Sequence, residues 1–195
     1  MSGEKNVISK LSNYLAKYIA QKGEISACEI PIYEYGFRVF IELLIVLFTC
    51  FSITCLGGSK TFLYGIFFWG VFIPLRRYGG GVHLYKFGSC FVLSVLVYIY
   101  VIFTAMVLKS NYINCLIGYT LLLLLWCVQP LVNQNLNSIL NKKDFLIKKY
   151  RRTIRAIGFI MLILALLKKW DYITVISTTL GLNMISLIVE RIRRI

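Results

Sequence analysis

The chain has 195 residues, of which 58% are hydrophobic, 15% aromatic and 15% charged, with a mean hydropathy of +0.75 and a formal net charge of +14. Soluble domains are about 45–50% apolar and about 25% charged, so this composition excludes a soluble globular core, and with it disorder, collagen, coiled coil and a disulfide scaffold. What remains is an integral membrane protein. The 22 Lys and Arg against 8 Asp and Glu form no basic domain but lie between apolar runs, where membrane topology puts them; this argues against a nucleic-acid partner.

The first twenty residues lack a compact apolar core and an A-x-A site, so no cleavable signal peptide is expected. They read as an amphipathic helix, with Val7, Ile8, Leu11, Leu15, Tyr18 and Ile19 on one face and Lys5, Asn6, Ser9, Asn13 and Lys17 on the other. Such a helix either lies in a membrane interface or packs on the rest of the protein. Six apolar stretches follow: Val39–Leu56, Thr61–Leu75, Phe91–Leu108, Tyr112–Val128, Ile154–Leu167 and Tyr172–Val189. A spanning helix takes about 20 residues and at least about 17; the second and fifth stretches are short and rely on snorkelling Arg77, Arg155, Lys168 and Lys169.

Alternate connections hold eighteen Lys and Arg on one side and four on the other. That is the positive-inside pattern of six spans with both termini in the cytoplasm. The expected fold is therefore all-α and polytopic, a single integral membrane domain over 1–195. It divides into an N-terminal amphipathic, cytoplasmic segment (1–38), a six-span core (39–190) and a basic cytoplasmic tail (191–195). The longest connection, Gln129 to Arg155, reads as a polar, basic, cytoplasmic loop. The six cysteines (Cys28, Cys50, Cys55, Cys90, Cys115, Cys127) include no CxxC, and there is one His. A Cys/His metal site has no support, no cofactor is expected, and the spacing demands no disulfide.

Unusual residues concentrate between Pro74 and Cys90: the chain's only His, three consecutive glycines, two arginines and a cysteine. Gly79, Gly80 and Gly81 allow backbone shapes closed to other residues. Non-helical backbone at membrane depth is tolerated where protein or water covers it, so a re-entrant loop is expected. His83 and Cys90 make a candidate base and nucleophile, since an imidazole beside a thiol generates the reactive thiolate. One continuous helix would hold the two about 10.5 Å apart along its axis. A break, placed near Gly88, has to fold one back on the other. The competing reading has His83 capping a helix or meeting a lipid headgroup, and Cys90 as a small hydrophobe. Glu42, an acid inside the first stretch, either orients His83 as the third member of a triad does or pairs with a basic residue; Gln129 is the other candidate orienter. Among the other thiols, Cys127 is the one placed to compete.

The run Arg76-x4-Gly81-x-His83-x6-Cys90, entered from one apolar stretch and leading into the next, resembles the accessory gene regulator B (AgrB) family of Gram-positive quorum-sensing membrane endopeptidases. Chain length, six spans, the N-terminal amphipathic segment, Tyr35-Gly36 and the basic segment opening near Pro130 are similar to that family too. The resemblance implies that His83 and Cys90 are the catalytic pair and that Arg76 and Gly81 support activity. It also implies a small AgrD-like precursor as substrate, with an amphipathic helix and an acidic C-terminal tail. The precursor is cut on the C-terminal side of the future signal, held as a thioester on Cys90 and cyclised to a thiolactone or lactone. A homodimer in the bacterial cell membrane is the expected assembly. Arg76 or Arg77 would pair with a precursor carboxylate or stabilise the oxyanion, and the seven cations from Lys142 to Arg155 would attract the acidic tail.

Two other function classes compete. A small transporter or peptide exporter would line a path with polar span residues such as Thr104, Thr120, Thr178 and Asn183, but no inverted repeat is visible. A non-enzymatic scaffold leaves the Gly-rich His/Cys segment unexplained.

Overall fold

The computed structural model describes residues 2–23, 26–82, 87–108, 111–128, 130 and 140–193. Among them are seven α-helices: α1 (Ser2–Gln21), α2 (Ile30–Leu56), α3 (Ser59–Gly79), α4 (Phe87–Val107), α5 (Tyr112–Cys127), α6 (Leu140–Leu166) and α7 (Trp170–Arg193). One single 3-10 turn, Ala27–Glu29, precedes α2. There the Ser26 hydroxyl and backbone N–H donate to Glu29 Oε2 at 2.7 and 2.9 Å, which holds the Glu29 carboxyl below the ordinary carboxylate value.

Each expected apolar stretch falls on a helix, because an apolar run in lipid must close its backbone hydrogen bonds within itself. Among the described residues, three helices are long and apolar enough to cross a bilayer: Ile30–Cys55, Ser89–Val107 and Trp170–Arg193. The 16 residues of α5 rise about 24 Å at 1.5 Å each. In α3, Lys60, Arg76 and Arg77 sit near the ends. Large side chains such as Phe48, Leu123 and Leu166 face outward, at 78%, 67% and 75% exposure. That is the surface a lipid solvent calls for and water does not.

Of the segment expected as one long loop from Gln129 to Arg155, residues 129 and 131–139 lie outside the described residues, and the rest from Leu140 is not a loop. From Leu140 onward the chain is helical, so the cations from Lys142 to Arg155 lie on α6. The reason is a stripe at alternating spacings of three and four: Ile147, Tyr150, Ile154, Ile157, Met161 and Leu164. All but Ile147 are buried. The stripe runs without interruption from the basic half of the helix into its apolar half, and this periodicity outweighs the local excess of charge.

The central element is α7. It packs against α3, α4, α5 and α6, and its buried residues run from Ile173 to Glu190. Around it lie two clusters. One joins α3, α5, α6 and α7 through residues such as Leu75, Leu125, Tyr150, Met161 and Leu180. The other joins α2, α3, α4 and α7 through Cys50, Phe68, Trp69, Tyr98 and Val175. Small residues allow close approach, as helix pairs in lipid favour; a Cβ added at Gly65 would stand 2.5 Å from Tyr98 Oη. Helix α1 packs on α2 through its small residues Ser12 and Ala16, both 0% exposed, while Val7, Leu11, Tyr14 and Tyr18 remain exposed. The stripe expected to be apolar is thus split, part of it outward and part, with Ile8, Leu15 and Ile19, half-buried.

Candidate active site

Helix α3 delivers Arg76 in its last turn and stops at three glycines, each of which meets a different demand. Gly79 lies against α6: a Cβ there would stand 2.7 Å from Tyr150 Cε2. Gly80 caps the helix, its N–H donating to the Arg76 carbonyl at 3.2 Å. Gly81 is buried with φ +133°, a backbone region that L side chains avoid. A Cβ there would also stand 2.5 Å from Arg76 Nη1 and 2.7 Å from Ser186 Oγ.

The glycine turn lets the Arg76 guanidinium fold over Val82. Arg76 Nη2 donates to the Val82 carbonyl and Nη1 donates to Ser186 Oγ at 2.7 Å. The Val82 N–H donates to the same Ser186 Oγ at 3.1 Å. Ser186 belongs to α7, as does Glu190 one turn later, 9% exposed. Glu190 lies within electrostatic range of the Arg76 guanidinium. Sequence reasoning missed Ser186 and Glu190. The available signal was Glu190, an acid at the end of an apolar helix, where a charge is costly unless paired; Ser186 carries no signal of its own.

Cys90 sits in the first turns of α4, half-buried. The break expected between His83 and Cys90 near Gly88 falls beside the start of α4 at Phe87, and residues 83–86, where it would be seen, lie outside the described residues. Before them, α3 ends at the three glycines, where positive φ at Gly80 and Gly81 and the close approach of Tyr150 to Gly79 and of Arg76 and Ser186 to Gly81 require glycine. His83 and Gln129 lie outside the described residues. Of the remaining candidates, Arg76 and Gly81 meet at Val82. Arg77 points elsewhere: it is exposed, with its guanidinium 5.8 Å from the Tyr78 ring centroid. Lys149 Nζ of α6 lies 6.0 Å from the same centroid, so Arg77 and Lys149 share one surface. Glu42 is half-buried on α2, and the charge acting on it is Arg38, one turn earlier on the same helix.

All six cysteines are free. Cys127 lines a cavity of about 240 Å³ with Trp126, Pro130, Tyr150 and Arg151. The polar residues a transport path would need are committed to their own helices. Thr104 donates to the Val101 carbonyl (2.8 Å), Thr120 to Ile117 (2.8 Å), Thr178 to Thr174 (2.8 Å) and the Asn183 amide to Thr179 (3.0 Å).

Comparison with protein families adds one finding: the family model described as Accessory gene regulator B matches residues 8–187, nearly the whole chain. No curated protein and no solved structure matches.

Proposed function

The chain belongs to the accessory gene regulator B family, a family of membrane proteins that process the small AgrD-like peptide of quorum sensing; from that premise we propose that it is a cysteine endopeptidase with Cys90 as nucleophile and His83 as base. The observation that carries this reading is Arg76. It reaches from the end of α3 to the backbone of Val82, the residue before His83, and to Ser186 of α7. The turn that leads into His83 is thereby held against α7, the helix on which α4, with Cys90 in its first turns, also packs.

In this reading His83 takes the proton from Cys90 Sγ and the thiolate attacks the scissile carbonyl. The tetrahedral intermediate collapses, His83 protonates the leaving amine, and the acidic tail departs while the rest of the peptide stays on Cys90 as a thioester. A thiol or hydroxyl within the peptide then attacks that thioester. A thiolactone or lactone ring closes and Cys90 regains its proton. The thioester keeps the activation of the cleaved bond for ring closure. Backbone N–H groups in the first turn of α4 lack helical partners and are suited to the oxyanion. The acidic tail meets Arg77 and Lys149, which share the Tyr78 surface, and the other cations of α6.

We extend the proposal to topology. All six helices from α2 to α7 cross the bilayer in a single domain, α3 and α6 with snorkelling cations at their ends, and both termini are cytoplasmic. The Gly80–Cys90 segment dips in as a re-entrant loop, the irregular backbone that is tolerated at membrane depth where protein covers it. A homodimer is the assembly, and α1 lies along the membrane interface with Val7, Leu11, Tyr14 and Tyr18 turned to lipid.

The test is intact-protein mass spectrometry after co-expression with a candidate precursor, comparing wild type, Cys90→Ala and His83→Ala. A hydroxylamine-labile adduct on wild type alone, with the tail released, is the expected result. Unchanged cleavage by Cys90→Ala refutes the nucleophile and redirects attention to Cys127.

A further inference from the structure

We propose that the cavity where the end of α5 meets α6 binds the anionic, hydroxyl-bearing phosphodiester headgroup of a membrane phospholipid, with Arg151 as the cation that recognises it. The inference goes beyond the endopeptidase reading and needs only that the chain sits in a bilayer. It begins with the two flanks of α6. Successive helical residues are about 100° apart, so Lys149 and Arg151 stand about 200° apart around the axis. Lys149 lies over the Tyr78 ring of α3. Arg151 lies over α5, its guanidinium 5.4 Å from the Trp126 ring centroid. One helix directs neighbouring cations to two surfaces because its buried stripe, through Tyr150 and Ile154, runs between them.

The second surface is concave. Trp126, Val128 and Pro130 at the end of α5 and Ile147, Tyr150 and Arg151 of α6 line about 240 Å³, many times the about 10–15 Å³ that a single water needs. Among the described residues that line it, Arg151 carries the charge. Asp144, the acid nearest to it along α6, is about 10.5 Å away along the axis, where salt screens the pair. The cavity therefore keeps a positive charge for a ligand. It also offers an acceptor. The Leu124 carbonyl accepts from the Val128 N–H at 3.0 Å and the Leu125 carbonyl from the Tyr150 hydroxyl at 3.4 Å. The next carbonyl, of Trp126, has Pro130 four residues on, which has no N–H to give. A phosphodiester that carries hydroxyls answers both: its phosphate accepts from Arg151 and its hydroxyls donate to the helix end.

Depth selects a lipid over other anions. Trp126 is next to last in the apolar α5, and Arg151 lies where α6 passes from its basic half to its apolar half. A Trp at the end of an apolar helix and the last cations before an apolar run both mark the membrane–water interface. Basic pockets between helices at that level bind anionic headgroups. Val128 and Ile147 add apolar wall for the glycerol backbone and the start of the acyl chains, which an acidic peptide does not bring. Arg77 and Lys149, on the other flank, stay available to such a peptide.

The experiment uses Cys127, an exposed thiol that lines the cavity, as its reporter and needs no precursor. The full chain is placed in phosphatidylcholine nanodiscs with or without one-third phosphatidylglycerol. Iodoacetamide alkylation of Cys127 is read by peptide mass spectrometry against Cys28, an exposed thiol elsewhere. Phosphatidylglycerol is expected to slow Cys127 roughly tenfold relative to Cys28, the protection given by a site about nine-tenths occupied. Arg151→Gln should abolish this protection. Arg151→Lys should keep most of it, since an ammonium also binds phosphate as a point charge. Arg152→Gln, at an exposed position on α6, should keep all of it. Equal relative rates in the two nanodiscs overturn the proposal. So does protection that survives Arg151→Gln, or that falls equally in Arg152→Gln and so reports only the general field of α6. Full protection in phosphatidylcholine alone by an acidic peptide, or by millimolar inorganic phosphate, assigns the cavity to that ligand and overturns the lipid.

Discussion

Gly81→Ala separates the geometry of the loop from its composition. Two costs add. An L residue held at φ +133° carries strain of about 1–3 kcal/mol, independent of the space around it. The new Cβ would also stand 2.5 Å from Arg76 Nη1 and 2.7 Å from Ser186 Oγ. The arginine terminus is flexible enough to move, but it can move only by leaving Ser186, and a hydrogen bond to a charged group is worth about 1.5–3 kcal/mol. Allowing for relaxation, about 3 kcal/mol falls on the catalytic arrangement, which is about a hundredfold in cleavage rate. Gly81 belongs to neither packed cluster, so the thermal unfolding midpoint should hardly move. The matched control is Gly70→Ala on the same stretch of chain, an exposed helical position with nothing within 4 Å of the added carbon; it should cleave like wild type and gain a little helix stability. Precursor cleavage in proteoliposomes, with thermal unfolding in parallel, makes the comparison. Cleavage by Gly81→Ala within about twofold of wild type, well inside the expected loss, refutes the argument.

Two further predictions use the same assays. Arg76→Lys should lower cleavage by about tenfold or more, because one ammonium cannot hold both the Val82 carbonyl and Ser186 Oγ. Arg77→Lys, at an exposed position over Tyr78, should keep most of the activity; equal losses in the two variants would remove the distinction. Gly79→Ala places a carbon 2.7 Å from Tyr150 Cε2 and should destabilise the α3–α6 contact by about 1–3 kcal/mol. Part of that loss should be recovered when Tyr150→Leu is added, as coupling between touching residues requires; purely additive unfolding shifts would count against the contact.

Much of the fold was legible because lipid imposes a narrow rule. Backbone that is not hydrogen-bonded within its own segment is excluded from the hydrocarbon, so each apolar run had to be a helix, and each run from Val39 to Val189 lies on one. The error came where two signals disagreed. Between Lys142 and Arg155 the mean hydropathy argues for a loop, while the three-and-four spacing from Ile147 through Leu164 argues for a helix. Periodicity is the better guide to secondary structure, because it reports which face is buried and not how many residues are polar. The split face of α1 has a similar cause. Sequence pattern gathers apolar residues on one side, but α1 packs on α2 through Ser12 and Ala16, whose small size permits the contact and whose hydropathy does not announce it.

The site was half legible for a different reason. Arg76 and Gly81 stand within one short motif, and their chemistry, a planar fork of donors and a residue without Cβ, can be argued from residue type. Ser186 and Glu190 stand about a hundred residues away, on a helix whose other polar side chains mostly satisfy themselves. Thr178, Thr179 and Asn183 all bond to carbonyls of α7, the ordinary fate of such groups in an apolar helix. A serine that instead faces a glycine loop cannot be distinguished by spacing from those neighbours. Only the packing of α3 against α7 brings Ser186 to Arg76 and Val82. The sequence motif thus names the groups that can do chemistry. What holds them at a fixed mutual angle is a tertiary contact, and the glycines that make the loop recognisable are the reason such a contact is required.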